Sequence, residues 1–101
     1  MKKYVYEVLY KEEDFMIDPL IEDDLNEDEI KELKIVKTFA TGEGLTESAA
    51  WARFEKHVEY VCHFTFSYKI NKEKMELFIE DCDIQLTMNI IFREEVIDDP
   101  E

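Results

Sequence analysis

The sequence predicts a single α+β domain, with about four strands in a mainly antiparallel sheet and two or three helices. A length of 101 residues suits one domain with one modest core. Hydrophobic residues make up 46% of the chain and aromatic residues 13%, far more than a disordered acidic chain contains. Only two glycines and two prolines occur, so regular structure should cover most of the sequence.

The N-terminal third is predicted to begin with a strand and to contain a short helix. Residues 3–10 are dense in Tyr, Val and Leu, which favours a strand. Residues 25–33 carry a helix start, in which Asn26 is the N-cap and Glu29 completes a capping box. Three acidic residues in the first turn would interact favourably with the helix dipole.

The middle of the chain is predicted to form a strand, a turn and a longer helix. Residues 34–40 favour a strand, and Thr41-Gly42-Glu43-Gly44 is typical of a turn. Thr46 can cap a helix that runs to about Val58. The apolar face of that helix should consist of Ala50, Trp51, Phe54 and Val58.

Residues 60–70 show the clearest alternation in the chain and predict a long strand with one buried aromatic face. That face would hold Tyr60, Cys62, Phe64, Phe66, Tyr68 and Ile70. Residues 84–93 predict the last strand. Residues 94–101 predict a flexible acidic tail.

Residues 72–82 fit two periodicities. Met75, Phe78, Ile79 and Cys82 have the spacing of a helical face, which Asn71 could cap. Met75, Leu77 and Ile79 also alternate, as the second strand of a hairpin would. The helix is the preferred prediction.

Net charge is the unusual property of this chain. Twenty-six acidic residues against twelve basic ones leave a formal charge of −14. Residues 11–34 hold eleven acids and three bases, and residues 73–101 hold ten acids and two bases, so each block carries −8. Because self-repulsion of this size opposes folding, the concentration of acid into two blocks favours a functional role in binding.

The candidate binding residues are carboxylates in clusters with few neighbouring bases. They are Glu12, Glu13, Asp14, Glu22, Asp23, Asp24, Glu27, Asp28, Glu29, Glu80, Asp81, Asp83, Glu94 and Glu95.

Carboxylates at this density can match the charge of a nucleic acid. A domain of this size spans about 30–35 Å, and duplex DNA of that length carries about 18–20 charges. In size and charge the chain resembles the acidic DNA-mimic inhibitors that phages and mobile elements use against restriction, CRISPR and nucleoid proteins. The resemblance implies a non-enzymatic protein that covers the basic nucleic-acid-binding surface of a partner. It also implies action in the cytoplasm of the host cell.

An alternative is an intracellular adaptor or assembly subunit, whose acidity would serve only solubility. Separately, Tyr4, Tyr6 and Tyr10 are expected to lie partly exposed on a sheet edge, where they could support a homodimer. Direct nucleic-acid binding by the aromatic strand 60–70 is disfavoured, because a charge of −14 opposes the approach of phosphates. The N-terminus lacks an apolar signal segment and no stretch predicts a membrane span, so the cytoplasm is the expected location.

Catalysis, cofactors and metals are not predicted. An EF-hand loop starting at Asp24 would need Gly and Glu where Glu29 and Ile35 stand. The Thr41–Gly44 segment lacks the lysine of a phosphate-binding loop, and no pair of carboxylates is marked out for acid–base chemistry. The residues that could bind zinc are His57, Cys62, His63 and Cys82. Their spacing fits no known zinc site, and both cysteines are expected to be buried.

Overall fold

The computed structural model describes residues 1–15 and 26–97, which form an α+β domain. In chain order the elements are β1 (Lys2–Tyr10), a 3-10 helix (Glu12–Phe15), α1 (Glu27–Leu33), β2 (Lys37–Gly44), α2 (Glu47–Cys62), β3 (Ser67–Asn71), β4 (Glu76–Glu80) and β5 (Gln85–Val96). The strands form one antiparallel sheet in the order β2-β1-β5-β4-β3. The predicted fold class is confirmed, with five strands in place of four.

The sheet is staggered about its longest strand. Residues 90–96 of β5 pair with β1, whereas residues 85–89 pair with β4. The two halves of β5 therefore have their partners on opposite edges. This arrangement lengthens the sheet and leaves half of each edge of β5 without a strand from the described residues.

The core lies between α2 and one face of the sheet. Phe54 and Val58 of α2 are fully buried, as are Leu77 and Ile79 of β4. From β1, the ring of Tyr6 packs edge-on against Trp51 with the centroids 4.9 Å apart. The apolar face predicted for this helix is therefore the one that contacts the sheet.

The caps predicted for α1 and α2 are confirmed. The Asn26 side chain accepts a hydrogen bond from the backbone N–H of Glu29 at 2.8 Å and donates one to its carboxylate at 3.0 Å. Thr46 Oγ1 accepts from the N–H of Ala49 at 3.1 Å. Each cap satisfies a donor that the helix geometry leaves without a partner.

The predicted turn at Thr41–Gly44 is wrong, because these residues continue β2. Their glycines serve close packing. A Cβ atom on Gly42 would lie 2.2 Å from the backbone nitrogen of Phe54, and one on Gly44 would lie 2.7 Å from that of Ala50. The two glycines therefore let α2 approach the backbone of β2.

The long strand predicted at 60–70 is also wrong. Helix α2 continues to Cys62, which is buried, and a turn follows before β3 begins at Ser67. Tyr60 is 80% exposed and Phe64 is 98% exposed. The alternation of aromatic residues therefore crosses the boundary between a helix and a strand.

The helix preferred for residues 72–82 is absent, because Glu76–Glu80 forms β4, paired in a hairpin with β3. The alternating residues Leu77 and Ile79 are both fully buried, which matches the hairpin alternative. At the other end of β5, the predicted tail begins too early. Glu94 and Glu95 belong to β5 and pair with β1, while residues 98–101 lie outside the described part of the chain.

The expected exposed tyrosine edge is not present. β1 is an interior strand between β2 and β5. Tyr6 is buried, and Tyr4 and Tyr10 are partly buried against the core. A homodimer through these tyrosines is therefore not supported. Among the described residues, no helix combines the length and the apolar composition that crossing a bilayer requires.

Candidate functional site

Most of the predicted carboxylates gather at one end of the sheet. β1 ends at Tyr10 and leads into the 3-10 helix, which contacts α1. Because β5 runs antiparallel to β1, the turn between β4 and β5 lies toward this same end. An aromatic contact joins the two sides, since the rings of Phe15 and Phe66 are 6.1 Å apart, and the neighbouring Ser67 pairs with Glu80.

We call residues 11–15, 26–37 and 80–85 the acidic end. They hold ten carboxylates and four lysines, a net charge of −6. The predicted binding residues in this region are Glu12, Glu13, Asp14, Glu27, Asp28, Glu29, Glu80, Asp81 and Asp83. Three clusters that are distant in sequence are thus brought to one region of the fold.

The lysines at the acidic end neutralise only the 3-10 helix. Lys37 of β2 forms an ion pair with Glu12, whose carboxylate raises the pKa of the lysine. Lys11 lies 4.0 Å from Glu13, and its backbone N–H donates to Asp14. Exposed pairs of this kind contribute little to stability, and a competing cation can replace the lysine at low cost.

The carboxylates of α1 and of the β4–β5 turn are free of ion pairs within the described residues. Glu27, Asp28 and Glu29 occupy the first turn of α1, and the Glu29 carboxylate accepts only from Asn26. At the β4–β5 turn, Asp81 accepts from the backbone N–H of Cys82 and Glu80 accepts weakly from Gln85 at 3.4 Å. These carboxylates can therefore accept hydrogen bonds from a partner.

An open groove of about 590 Å³ adjoins the β4–β5 turn. Glu80 and Asp81 form one side, and Phe64 and Phe66 contribute aromatic surface. Phe64 is 98% exposed and has φ 68°, a left-handed conformation that is strained for a phenylalanine. The alternating pattern at 60–70 predicts a buried Phe64, which is wrong. The sequence signal that could have shown this is its position just after the end of α2, at Cys62.

Within the described residues, the opposite end of the sheet carries no net charge. Residues 1–5, 42–44 and 91–97 hold three basic and three acidic side chains, and we call them the neutral end. Glu94 lies 3.6 Å from Lys2, and Glu95 lies 3.2 Å from Lys3 and 2.8 Å from Arg93. Hydrogen bonds from Arg93 and Lys3 lower the pKa of Glu95. The structure therefore separates Glu94 and Glu95 from the other predicted binding residues.

The ion pairs of Lys3 and Arg93 cover the face of the sheet opposite α2. Val5 points to that face and is fully buried, although it lies outside the main core cluster. Its cross-strand neighbours are Glu43 and Arg93. Lys3 bridges Glu43 and Glu95, at 3.3 and 3.2 Å, so long charged side chains shield this valine.

Glu22, Asp23 and Asp24 lie outside the described residues. In the ranges 1–15 and 26–97, no group of three or more His, Cys, Asp or Glu side chains is placed to hold a metal ion. Cys62 is buried, as predicted, and burial raises the pKa of its thiol, whereas Cys82 is exposed, contrary to prediction. His57 Nδ1 accepts from the backbone N–H of Thr41 at 2.9 Å, which connects α2 to β2.

Comparisons with protein-family models, with curated proteins and with solved structures found no match.

Proposed function

We propose that this protein is a non-enzymatic inhibitor that covers the basic, nucleic-acid-binding surface of a partner protein. The observation that supports the proposal is the polarity of the fold within the described residues, with a net charge of −6 at the acidic end and none at the neutral end. A charge needed only for solubility has no reason to collect at one end. The inhibitor would act in the cytoplasm of a cell carrying phage or mobile-element genes, where its two unpaired cysteines stay reduced.

The acidic end offers carboxylates at spacings comparable with phosphates. On α1, positions three or four residues apart, such as Glu29 and Glu32, place side chains about 5–6 Å apart. Lysines and arginines that contact successive phosphates can therefore pair with successive carboxylates. Occupation of these basic side chains by the inhibitor would displace the nucleic acid.

Phe64 adds an apolar element to the acidic end. An arginine that forms an ion pair with Glu80 or Asp81 in the groove could stack its guanidinium on this exposed ring. Such a contact favours arginine over lysine, because the planar guanidinium stacks on an aromatic face. The partner surface is therefore expected to be rich in arginine.

Two triple variants of equal net charge test the proposal. In the first, Glu80→Gln, Asp81→Asn and Asp83→Asn neutralise the β4–β5 turn. In the second, Glu47→Gln, Glu55→Gln and Glu73→Gln neutralise three exposed glutamates outside the acidic end. Both sets remove three charges, so they differ only in the place from which the charge is removed.

DNA-binding proteins are first captured on the immobilised wild-type chain and released. The assay then measures, by fluorescence anisotropy, the displacement of labelled duplex DNA from these proteins. We expect the wild type and the second triple variant to displace the DNA. We expect the first triple variant to lose at least tenfold in apparent affinity, since each charged contact contributes about 1 kcal/mol or more. Affinity should also fall steeply between low and high salt.

Equal losses in the two variants would refute a localised binding site and favour the solubility role. Partner binding that leaves the DNA in place, or that ignores salt, would favour the adaptor.

A further inference from the structure

The neutral end carries an unpaired strand edge. One edge of β5 pairs with β4 along residues 85–89. Farther along the same edge, at residues 91–96, no strand of the described residues pairs with β5. On its other edge, the same stretch is fully paired with β1. The unpaired stretch is thus about six residues long, which is the length of an ordinary strand.

Two hydrogen bonds show which backbone groups face the unpaired edge. The N–H of Ile90 donates toward β4, to the carbonyl of Met75 at 2.8 Å, and the N–H of Ile97 donates toward β1, to the carbonyl of Met1 at 2.8 Å. Because backbone groups alternate in direction along a strand, the N–H and C=O of Phe92, Glu94 and Val96 face the unpaired edge.

Four of the seven side chains along residues 91–97 are apolar and accessible, and the other three are charged. Val96 is 74% exposed, and Ile91, Phe92 and Ile97 are between 36% and 41% exposed. The ring of Phe92 stacks on Tyr4 with the two planes 7° apart, which holds it in place on the α2 side of the sheet. An ordered apolar edge of this kind is suited to pairing with another strand.

The two outer edges of the sheet differ from this one. β3 is five residues long and includes Lys69, a residue type that discourages edge pairing. β2 is an outer strand with Lys37 at its start and two glycines at its end, which offer no apolar side chain. Of these three edges, the one along residues 91–96 of β5 is unprotected; the other open edge of β5, along residues 85–89, adjoins the acidic end.

We propose that a second copy of this chain binds here, by antiparallel pairing of the two β5 strands about a two-fold axis at Glu94. This register places Phe92 opposite Val96 of the other copy, and Ile91 opposite Ile97. Arg93 falls opposite Glu95, so the charges are complementary as well. Phe92, Glu94 and Val96 then exchange six backbone hydrogen bonds with the same residues of the second copy.

Self-complementarity selects the second copy over an unrelated strand. Shifting the register by one residue in each chain would place Arg93 opposite Arg93, whereas the proposed register pairs apolar with apolar and basic with acidic. The one unfavourable pair is Glu94 with Glu94 of the other copy. Within each copy, Lys2 lies 3.6 Å from the Glu94 carboxylate of the same chain. Within the described residues, the neutral end is also the region where two chains of charge −14 repel each other least; Asp98, Asp99 and Glu101 follow it in the sequence and lie outside those residues.

Cross-linking tests the register. Residues opposite each other in a hydrogen-bonded antiparallel pair have Cα atoms about 5.5 Å apart, within the range that a disulfide spans. Glu94→Cys is made in a Cys82→Ser background, with oxidised glutathione as the oxidant. Glu59→Cys, at an exposed position of α2, is the matched control. We expect a covalent dimer from Glu94→Cys alone, and equal yields from the two variants would overturn the register.

Sedimentation velocity tests the dimer without a cross-link. We expect a dimer whose fraction rises with protein concentration and also with salt, because salt screens the repulsion between the two chains. Val96→Pro removes an N–H that faces the partner and leaves the bonds to β1 intact, so the dissociation constant should rise about tenfold. Leu45→Lys, at another exposed apolar residue, is the control and should not change it.

A wild-type chain that stays monomeric at high concentration in both low and high salt would refute the proposal. Far-UV circular dichroism of Val96→Pro distinguishes loss of the dimer from loss of the fold. DNA displacement by the acidic end is measured separately, so failure of the dimer leaves the proposed function standing.

Discussion

Replacement of Gly42 by alanine tests the seating of α2 against β2. The new Cβ atom would lie 2.2 Å from the nitrogen and 2.5 Å from the Cα atom of Phe54, and 2.5 Å from the carbonyl oxygen of Ala50. Ordinary contact begins at about 3.4 Å, so α2 must retreat by about 1 Å. All three atoms belong to the backbone, and no side-chain rotation can relieve the overlap.

The expected cost of Gly42→Ala follows from this overlap. Overpacking costs about 1–3 kcal/mol, and we expect the upper end of that range because the helix must move as a body. For a domain of this size, about 3 kcal/mol corresponds to a fall in Tm of roughly 12–24 °C. Thermal and urea unfolding followed by circular dichroism measure it. Gly44→Ala should cost about half as much, since the added Cβ atom would lie 2.7 Å from its nearest neighbour, the backbone nitrogen of Ala50.

A contrary result is easily recognised. If Gly42 lay in a surface turn, alanine there would change Tm by only a few degrees, in either direction. A Tm within 2 °C of the wild type (roughly 0.5 kcal/mol or less) would therefore refute the close approach of α2 to β2.

Three further experiments test the helix cap of α2, the burial of the two thiols and the backbone strain at Phe64. Thr46→Ala removes the acceptor for the N–H of Ala49 and should lower the unfolding free energy by about 1 kcal/mol in urea titrations. Ellman's reagent should modify Cys82 rapidly at neutral pH and Cys62 only on unfolding, because burial raises the pKa of the Cys62 thiol and excludes the reagent; fast reaction of both thiols would contradict this. Phe64→Gly relieves the left-handed conformation at φ 68° and should raise stability by up to about 1 kcal/mol while weakening the inhibitor's binding to its partner; lower stability would show that the ring has a structural role.

The local signals for helix starts predict α1 and α2 correctly, whereas the same kind of signal at Asn71 predicts a helix that is absent. Asn26 with Glu29, and Thr46 before an apolar face, depend on interactions within four residues. The end of α2 was harder to predict. Cys62 extends the series Ala50, Phe54 and Val58, whose members are four residues apart. It also belongs to the alternating aromatic series at 60–70, which is longer and predicts a strand.

Hydrophobic periodicity also could not decide the structure of residues 72–82. Ile79 belongs to both the helical and the alternating pattern, and over such a short span the two are equally well matched. Pairing decides the outcome. Leu77 faces Met88 across the sheet, and Ile79 faces Leu86, so the strand is stabilised by residues about ten positions away. The glycines of β2 likewise depend on a helix that sequence alone does not bring near them.

The site was predicted in composition but not in arrangement. The sequence separates two acidic blocks, yet their division between the two ends of the sheet depends on the register of β1 with β5. Along the chain, Glu94 and Glu95 have only Arg93 as a nearby base, because Lys2 and Lys3 are more than ninety residues away. Ion pairs between distant strands cannot be found from local charge density.

The polarity of the two ends has a consequence for valency. In the proposed dimer the neutral ends are joined, so the two acidic ends point in opposite directions. Nine residues of β5 separate Gln85 from Glu94, which places the two β4–β5 turns about 60 Å apart. Such a molecule would have two heads able to bind two copies of a basic partner, or two sites on one assembly. Its avidity would then depend on the spacing of the targets as much as on their charge.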